Sequence, residues 1–393
     1  MAGVDKREPG VLVVTPSLAI SGLSPRGTRA RRLVPALARA GYEVQVVTLD
    51  DGRLGELDAA AKVICSPPGS FWTVPEEKGD KTFRALRAAL VAGARVLLPL
   101  PDGQVGWALA AYRALRPRPK PPGLAAVYAI GAPFSALALG AALARRWDLP
   151  LIADLGDPWP RRGPAEFLLE RWTMRRASAM LVPTKRMARA YRRRFRKIAQ
   201  IVVAPNGADV LRSKRRKGRP LFLHVGVITG LRIDPEPAFR ALAKLDREGL
   251  LEFVSYGGAW VPLPPEAAHH HRGPIPQPDA RRLMAEASAL LILGNRSDIG
   301  LPSKTFEVAR SDVWALFVSE LDWELGAEVI EETGSGEVVR MNAEPAIRAA
   351  ALAILARERS GERPQPTARY SWEETLATAV DVVGEISRSH RPS

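Results

Sequence analysis

VLVVTPSLAISGLSPRGTRARRLVPALARAGYEVQVVTL, residues 11–49, contains a complete strand–helix–strand unit. Val11–Thr15 is a continuous β-prone run, the pattern of a parallel strand covered on both faces. Thr28–Arg39 then carries apolar residues at helical spacing, and Gly41 stands where a helix stops. Val44–Leu49 is the next strand. The same alternation recurs at Ala94–Leu98, Ala125–Ile130, Leu151–Asp154, Met180–Val182 and Ile201–Ala204, with helical patterns between. Strands separated by helices predict a doubly wound parallel sheet. Leu211–Pro220 (LRSKRRKGRP) is basic, polar and ends in Gly218 and Pro220, and it reads as a linker. A second series follows at Leu221–Val225, Glu252–Tyr256, Ala289–Leu293, Trp314–Ser319 and Glu337–Arg340. Ser371–Ser387 reads as one amphipathic helix.

The bulk properties agree with an α/β reading. A chain of 393 residues suits two domains, and 46% hydrophobic with 25% charged residues is the globular range. The single Cys65 excludes an internal disulfide framework and reads as a small core residue after Val63–Ile64. MAGVDKREPG at the N-terminus lacks an apolar signal core, which predicts a cytoplasmic protein. Residues 121–144 carry no charge and are long enough to span a bilayer, but Gly131 and Pro133 interrupt them. They read as a strand, a tight turn and a helix start. The net charge of +15 points to anionic partners.

Four segments carry candidate chemistry. LPSKTFE (Leu301–Glu307) follows an apolar strand, with Pro302 and Ser303 placed to open and cap a helix. Free N–H groups there suit a phosphate, Lys304 adds a charge, and Glu307 on the same face suits a ribose diol. The plain alternative is a surface Lys–Glu pair on an ordinary helix. HVGVITGLR (His224–Arg232) runs from a strand into a loop in which Gly226, Gly230 and Thr229 precede Arg232. Glycines let a phosphate approach the backbone and arginine can grip it bidentately, although a plain strand–helix loop has the same look. No dinucleotide or P-loop fingerprint is present. ADLGDPWP (Ala153–Pro160) puts Asp157 at a strand's carboxyl end, suited to an acceptor hydroxyl or its proton, with helix capping by Asp154 or Asp157 as the alternative. No two aspartates are separated by one residue, so no D-x-D metal clamp exists and no metal or other cofactor is expected.

KRMARAYRRRFRK (Lys185–Lys197) sets Met187, Tyr191 and Phe195 four apart among six arginines and two lysines. Such a stripe is either buried beneath an outer-layer helix or laid on an anionic membrane through Arg192, Arg193 and Arg196. Nucleic acid ranks last, since aromatic-interleaved and helix-turn-helix patterns are absent. The histidine run His269–His271 reads as loop, because adjacent residues cannot all face one metal.

Seven segments in order resemble the glycosyltransferase group 1 family, in the branch that assembles bacterial cell-surface polysaccharides. They are Pro25–Thr48, Pro101–Trp107, Ala132–Gly140, Asp154–Trp159, Pro205–Asp209, the HVGVITGLR loop and LPSKTFE. The resemblance implies the GT-B fold, two Rossmann-like domains facing across a cleft, at residues 1–212 and 213–370. Residues 371–393 would form a C-terminal helix returning to the first domain. It implies retaining, metal-independent transfer from a nucleotide sugar to a saccharide or lipid-linked acceptor, at or near the inner face of the membrane. By the same resemblance, Arg232 and Lys304 neutralise the departing diphosphate, Glu307 holds the donor ribose and Gly22 packs beside the diphosphate. Departures stand beside this. Leu137 occupies the place of a histidine, Gly156 that of an arginine and Ile299 that of a first glutamate. Arg310–Val313 replaces a Gly-x-Pro turn. Those losses motivate the alternative of a catalytically weak, glycosyltransferase-like binder of a nucleotide sugar or a partner.

Overall fold

The computed structural model describes residues 9–18, 25–49, 61–65, 101–159, 163–230, 232–296 and 302–390. The backbone packs into two compact units, Met1–Pro205 with Thr375–Ser393, and Asn206–Glu374.

Among the described residues, the first unit holds a seven-stranded sheet of β1 (Gly10–Val14), β2 (Glu43–Val47), β3 (Lys62–Cys65), β4 (Leu124–Gly131), β5 (Leu151–Leu155), β6 (Ala177–Val182) and β7 (Gln200–Val203). The spatial order is β3-β2-β1-β4-β5-β6-β7 and every pairing is parallel. The chain therefore winds outward from β1 on one side and from β4 on the other. Its helices are α1 (Pro25–Arg39), α2 (Val105–Leu115), α3 (Phe134–Trp147), α4 (Pro164–Met174) and α5 (Lys185–Arg194). β1 is buried along its whole length, as its uninterrupted apolar run demands. The uncharged stretch 121–144 resolves into β4 and α3, and among the described residues no helix is long and apolar enough to cross a membrane. β3 was not anticipated. It is a four-residue strand at the end of the sheet among the described residues, and Cys65 on it is half-buried rather than in the core. The strand expected at Ala94–Leu98 lies outside the described residues.

The second unit holds β8 (Leu221–Val225), β9 (Glu252–Tyr256), β10 (Ala289–Leu293), β11 (Trp314–Val318) and β12 (Gly336–Val339), in the order β12-β11-β10-β8-β9 and again all parallel. Its helices are α6 (Glu236–Arg247), α7 (Pro265–Ala268), α8 (Gln277–Glu286), α9 (Lys304–Ala309), α10 (Leu325–Thr333) and α11 (Glu344–Arg359). The two-residue period of a strand divides the core cleanly. Phe222, Phe253, Leu291, Leu293, Trp314 and Leu316 pack on one face with Phe239 of α6 and Ile354 of α11. Leu223, Val254, Ile292 and Phe317 pack on the other with Met284 of α8 and Ile330 of α10. The segment that reads as a linker lies within this unit. Leu211 N–H donates to the Arg310 carbonyl (3.1 Å), Lys214 N–H to that of Ala285 (2.7 Å), and the Arg215 guanidinium pairs with Glu358. The last helix, α12 (Trp372–Ser389), belongs to the first unit from Thr375 onward.

Candidate functional site

In a doubly wound sheet, the crevice for a ligand opens outside the carboxyl ends of the two strands where the winding reverses. In the second unit those strands are β8 and β10. Residues 226–232 leave β8 and residues 294–296 leave β10, so the strand order sets HVGVITGLR beside the approach to LPSKTFE.

The loop after β8 is fastened on both sides. Gly226 N–H donates to Tyr256 O (2.9 Å), Ile228 N–H to Gly258 O (2.8 Å), and Trp260 N–H back to Ile228 O (2.9 Å). Gly257 adopts φ +140°, and a Cβ there would collide with the Gly226 carbonyl, so the close approach of these turns needs glycine. Toward β10, Ile233 N–H donates to Gly294 O (3.1 Å), and Arg232 and Asn295 form an antiparallel bridge. The Arg232 guanidinium donates to the Asn295 side-chain oxygen. Asn295 N–H in turn donates to Glu324 Oε1 (2.8 Å), while Ser319 Oγ donates to Glu324 Oε2 (2.6 Å). Glu324 is wholly buried, and burial raises its carboxyl pKa despite those hydrogen bonds and the charges of Arg232 and Arg340. The result is a chain from a buried carboxylate, through an amide, to a half-exposed guanidinium.

Lys304 opens α9. Its ammonium lies 3.0 Å from each oxygen of Glu307, both side chains about one-third exposed. The expected shared face is therefore present, and in this structure the two are paired with each other. Ser303 occupies the N-cap position, but its hydroxyl makes no capping hydrogen bond, because its backbone is already helical at φ −59° and ψ −29°. Pro302 is buried just before it, and its carbonyl accepts from Thr305 N–H (3.0 Å). At six residues, α9 is too short to supply a strong end charge, so positive potential here comes from side chains.

One imidazole registers both cations. His224, 6% exposed at the end of β8, has its pKa pushed down to about 3, first by burial and then by the charges of His271, Arg232 and Lys304. Arg232 and Lys304, 72 positions apart in the chain, thus act on the same ring. Thr229 and Gly226 are half-buried and Gly230 exposed in the loop above it. His224, Ser255, Asn295, Ser319 and Glu324 all escaped the sequence reading. An isolated polar residue inside an apolar strand pattern, as His224 is, was the one available signal.

The first unit treats its aspartates differently. Asp154 is not a helix cap. Its Oδ2 accepts from Arg29 Nε (2.6 Å) and Tyr128 Oη (2.7 Å), with all three residues buried, and Arg29 also donates to Pro205 O (2.9 Å). This is a structural network at the sheet's carboxyl edge. Asp157, three residues on, is exposed. Met187 and Tyr191 of α5 are buried, and Tyr191 Oη accepts from Trp159 N–H (3.0 Å). Two of the three stripe residues therefore face the core and Phe195, just past the helix, is half-buried, whereas Arg192, Arg193 and Arg196 are exposed. Gly22 and Ile299 lie outside the described residues. A cavity of about 520 Å³ lined by Glu43, Gln45, Lys62, Arg118 and Trp147 sits at the opposite, amino end of the first sheet, away from the edge where such folds bind ligands.

Comparison with known proteins agrees with this architecture. Residues 27–207 match the model of the glycosyl transferase 4-like domain. No curated protein matches the chain in sequence. Among solved structures, the calicheamicin glycosyltransferase CalG4 is similar over 98% of this chain and 100% of its own, at 20% identity and TM-score 0.51. Anabaena Alr3699/HepE in complex with UDP is similar over 96% and 100%, at 11% identity and TM-score 0.58. A putative UDP-N-acetylglucosamine 2-epimerase from Listeria monocytogenes is similar over 98% of both chains, at 13% identity and TM-score 0.58. Residues 27–207 are thus similar to the glycosyl transferase 4-like domain, and the fold is that of two Rossmann-like units, the GT-B architecture.

Proposed function

We propose that this protein transfers a hexose-type sugar from a nucleotide diphosphate-sugar to an acceptor hydroxyl, with the donor diphosphate held in the C-terminal unit. The observation that carries this reading is the strand order that sets the Arg232 loop against the exit of β10, where Arg232 bridges Asn295, with Lys304 opening the helix that follows. A fold relative that holds UDP supports a nucleotide as the ligand. In the reaction, the bond between the sugar and the diphosphate breaks, the acceptor oxygen bonds to the sugar and the acceptor hydroxyl loses its proton. Charge accumulates on the leaving diphosphate, and fixed cations stabilise it without a divalent ion. Arg232 and Lys304 serve this role. Gly226 and Thr229 border the phosphates, and Pro302 and Ser303 shape the opposite wall. Glu307 exchanges its bond to Lys304 for the donor ribose. By the family resemblance, Gly22 serves the diphosphate and Asp157 the acceptor. By the family resemblance the sugar keeps its anomeric configuration, and the acceptor is a saccharide or a lipid-linked sugar of cell-surface polymer or glycolipid assembly.

A thermal-shift panel of nucleoside diphosphates and nucleotide sugars, followed by donor hydrolysis, tests the reading. At least one donor should raise the melting temperature and be hydrolysed, and Arg232→Ala should lower its kcat/KM by roughly 100-fold or more. Absence of any nucleotide-dependent shift would overturn it. A second reading, a weakly catalytic nucleotide-sugar binder, draws on Leu137, which is fully buried where the group 1 pattern has a histidine. Binding without turnover against a broad acceptor set would favour it.

A further inference from the structure

We propose that His224 is a phosphate-contacting hydrogen-bond donor of this site, set in its Nε2–H tautomer by a relay running from His271 through Ser255. The inference rests on the donor-diphosphate reading above and adds three residues to it.

The relay follows from register. His224 of β8 is paired with Ser255 of β9, and Ser255 forms a parallel bridge with His271, so the three side chains stand on one face of three adjacent extended segments. Main-chain bonds hold the third segment in place. Ser255 N–H donates to His270 O (2.8 Å) and Arg272 N–H to Ser255 O (2.9 Å). Ser255 Oγ lies 3.0 Å from His224 Nδ1 and 3.0 Å from His271 Nδ1, and Ser255 is wholly buried.

A hydroxyl has a single proton to give. The arrangement that satisfies all three groups has one ring donating to Ser255 and the other accepting from it. If His271 donates through Nδ1–H, Ser255 donates to His224 Nδ1, and the His224 proton stands on Nε2. If the relay runs the other way, Nε2 is an acceptor and repels an anion. Ser255 thus converts the state of His271 into the polarity of His224.

Nε2 also points the right way. A Cβ built on Gly226 would stand 3.7 Å from Nε2 and 4.0 Å from Cε1, and would meet nothing else within 4 Å outside the adjoining residues. The Nε2 edge therefore faces the backbone turn at Gly226, the start of the loop that ends at Arg232. His270, in contrast, bonds through Nδ1 to Phe253 O (2.9 Å) and takes no part. Burial and the neighbouring cations keep the His224 ring neutral, so its contribution is an oriented dipole rather than a third positive charge. His224 is a binding residue. Ser255 and His271 are positioning residues.

The test uses ¹⁵N-histidine-labelled protein titrated with UDP and with inorganic pyrophosphate. With either ligand saturating, the His224 nitrogens should report Nε2–H and a bare Nδ1. His224→Phe should weaken binding of both about 10–100-fold, the worth of a hydrogen bond to a charged group. His224→Gln, whose amide nitrogen replaces Nε2, should restore most of it. Ser255→Ala should weaken binding less and abolish the single tautomer. An Nδ1–H signal in the saturated protein overturns the relay, as does unchanged affinity in a folded His224→Phe variant. If Arg232→Ala loses binding while His224→Phe keeps it, the relay fails and the diphosphate site stands. If wild-type protein binds neither probe, both fall.

Discussion

A histidine enclosed at the end of an apolar strand is tolerated only while neutral, and His224 carries that condition into the acid stability of the protein. Its pKa falls from 6.5 to about 3 on folding. Between those values the unfolded chain binds a proton that the folded chain refuses, so stability rises with pH there. The contribution is complete above about pH 6.5 and is lost as pH falls toward about 3. His270, lowered in the same direction by burial, adds to the trend, whereas Glu324, raised by burial, opposes it. His224→Gln should therefore flatten the acid limb. Relative to pH 7, wild type should lose about 3 kcal/mol more than the variant by pH 4. Urea titrations across that range read the difference, and parallel curves for the two proteins would refute it. At this scale the sequence singled out Arg232 and Lys304 as candidates, since a cation after a glycine loop or at a helix start is conspicuous. It did not disclose Glu324 or Asn295, whose roles exist only in contact with residues 29 and 63 positions away.

The basic helix α5 shows how much an element reveals by its pattern and how much it withholds. Spacing of four among arginines marked one apolar stripe, and a stripe fits a bilayer or a protein core equally well. The core took it, since Met187 and Tyr191 are buried. The start of the helix is secured locally, with Thr184 Oγ1 accepting from Met187 N–H at 3.0 Å. Thr184→Ala should cost about 1 kcal/mol, measurable as a lower denaturation midpoint with unchanged slope. α9 taught the converse. Pro-Ser before a helical pattern correctly marked its beginning, but the length of six residues and the idle Ser303 hydroxyl depend on where the chain must turn toward β11. The strand β3 was missed because four partly buried residues leave almost no periodicity.

The whole molecule carries a net charge of +15, and the exposed Arg192, Arg193 and Arg196 of α5 and the residues just after it place part of that charge on one surface. With Met187 and Tyr191 turned into the core, attraction to a membrane through this surface is chiefly electrostatic and screened by salt. Flotation with phosphatidylserine vesicles should show binding at low salt that is lost by about 0.5 M salt. Reversing the three arginines to glutamate should reduce it several-fold, and binding unaffected by salt or by the reversal would exclude this surface. The amino-acid sequence alone determined that the chain is parallel α/β with two Rossmann-like series, because periods of two and 3.6 are local properties of consecutive residues. It also determined which loops bear glycine and cation. Only the tertiary structure decided that β8 lies between β10 and β9. That order brings Arg232 to Asn295 on one side and His224 to Ser255 and His271 on the other. Side-chain partnership across a sheet depends on strand order and register, and neither is carried by the composition of any single strand.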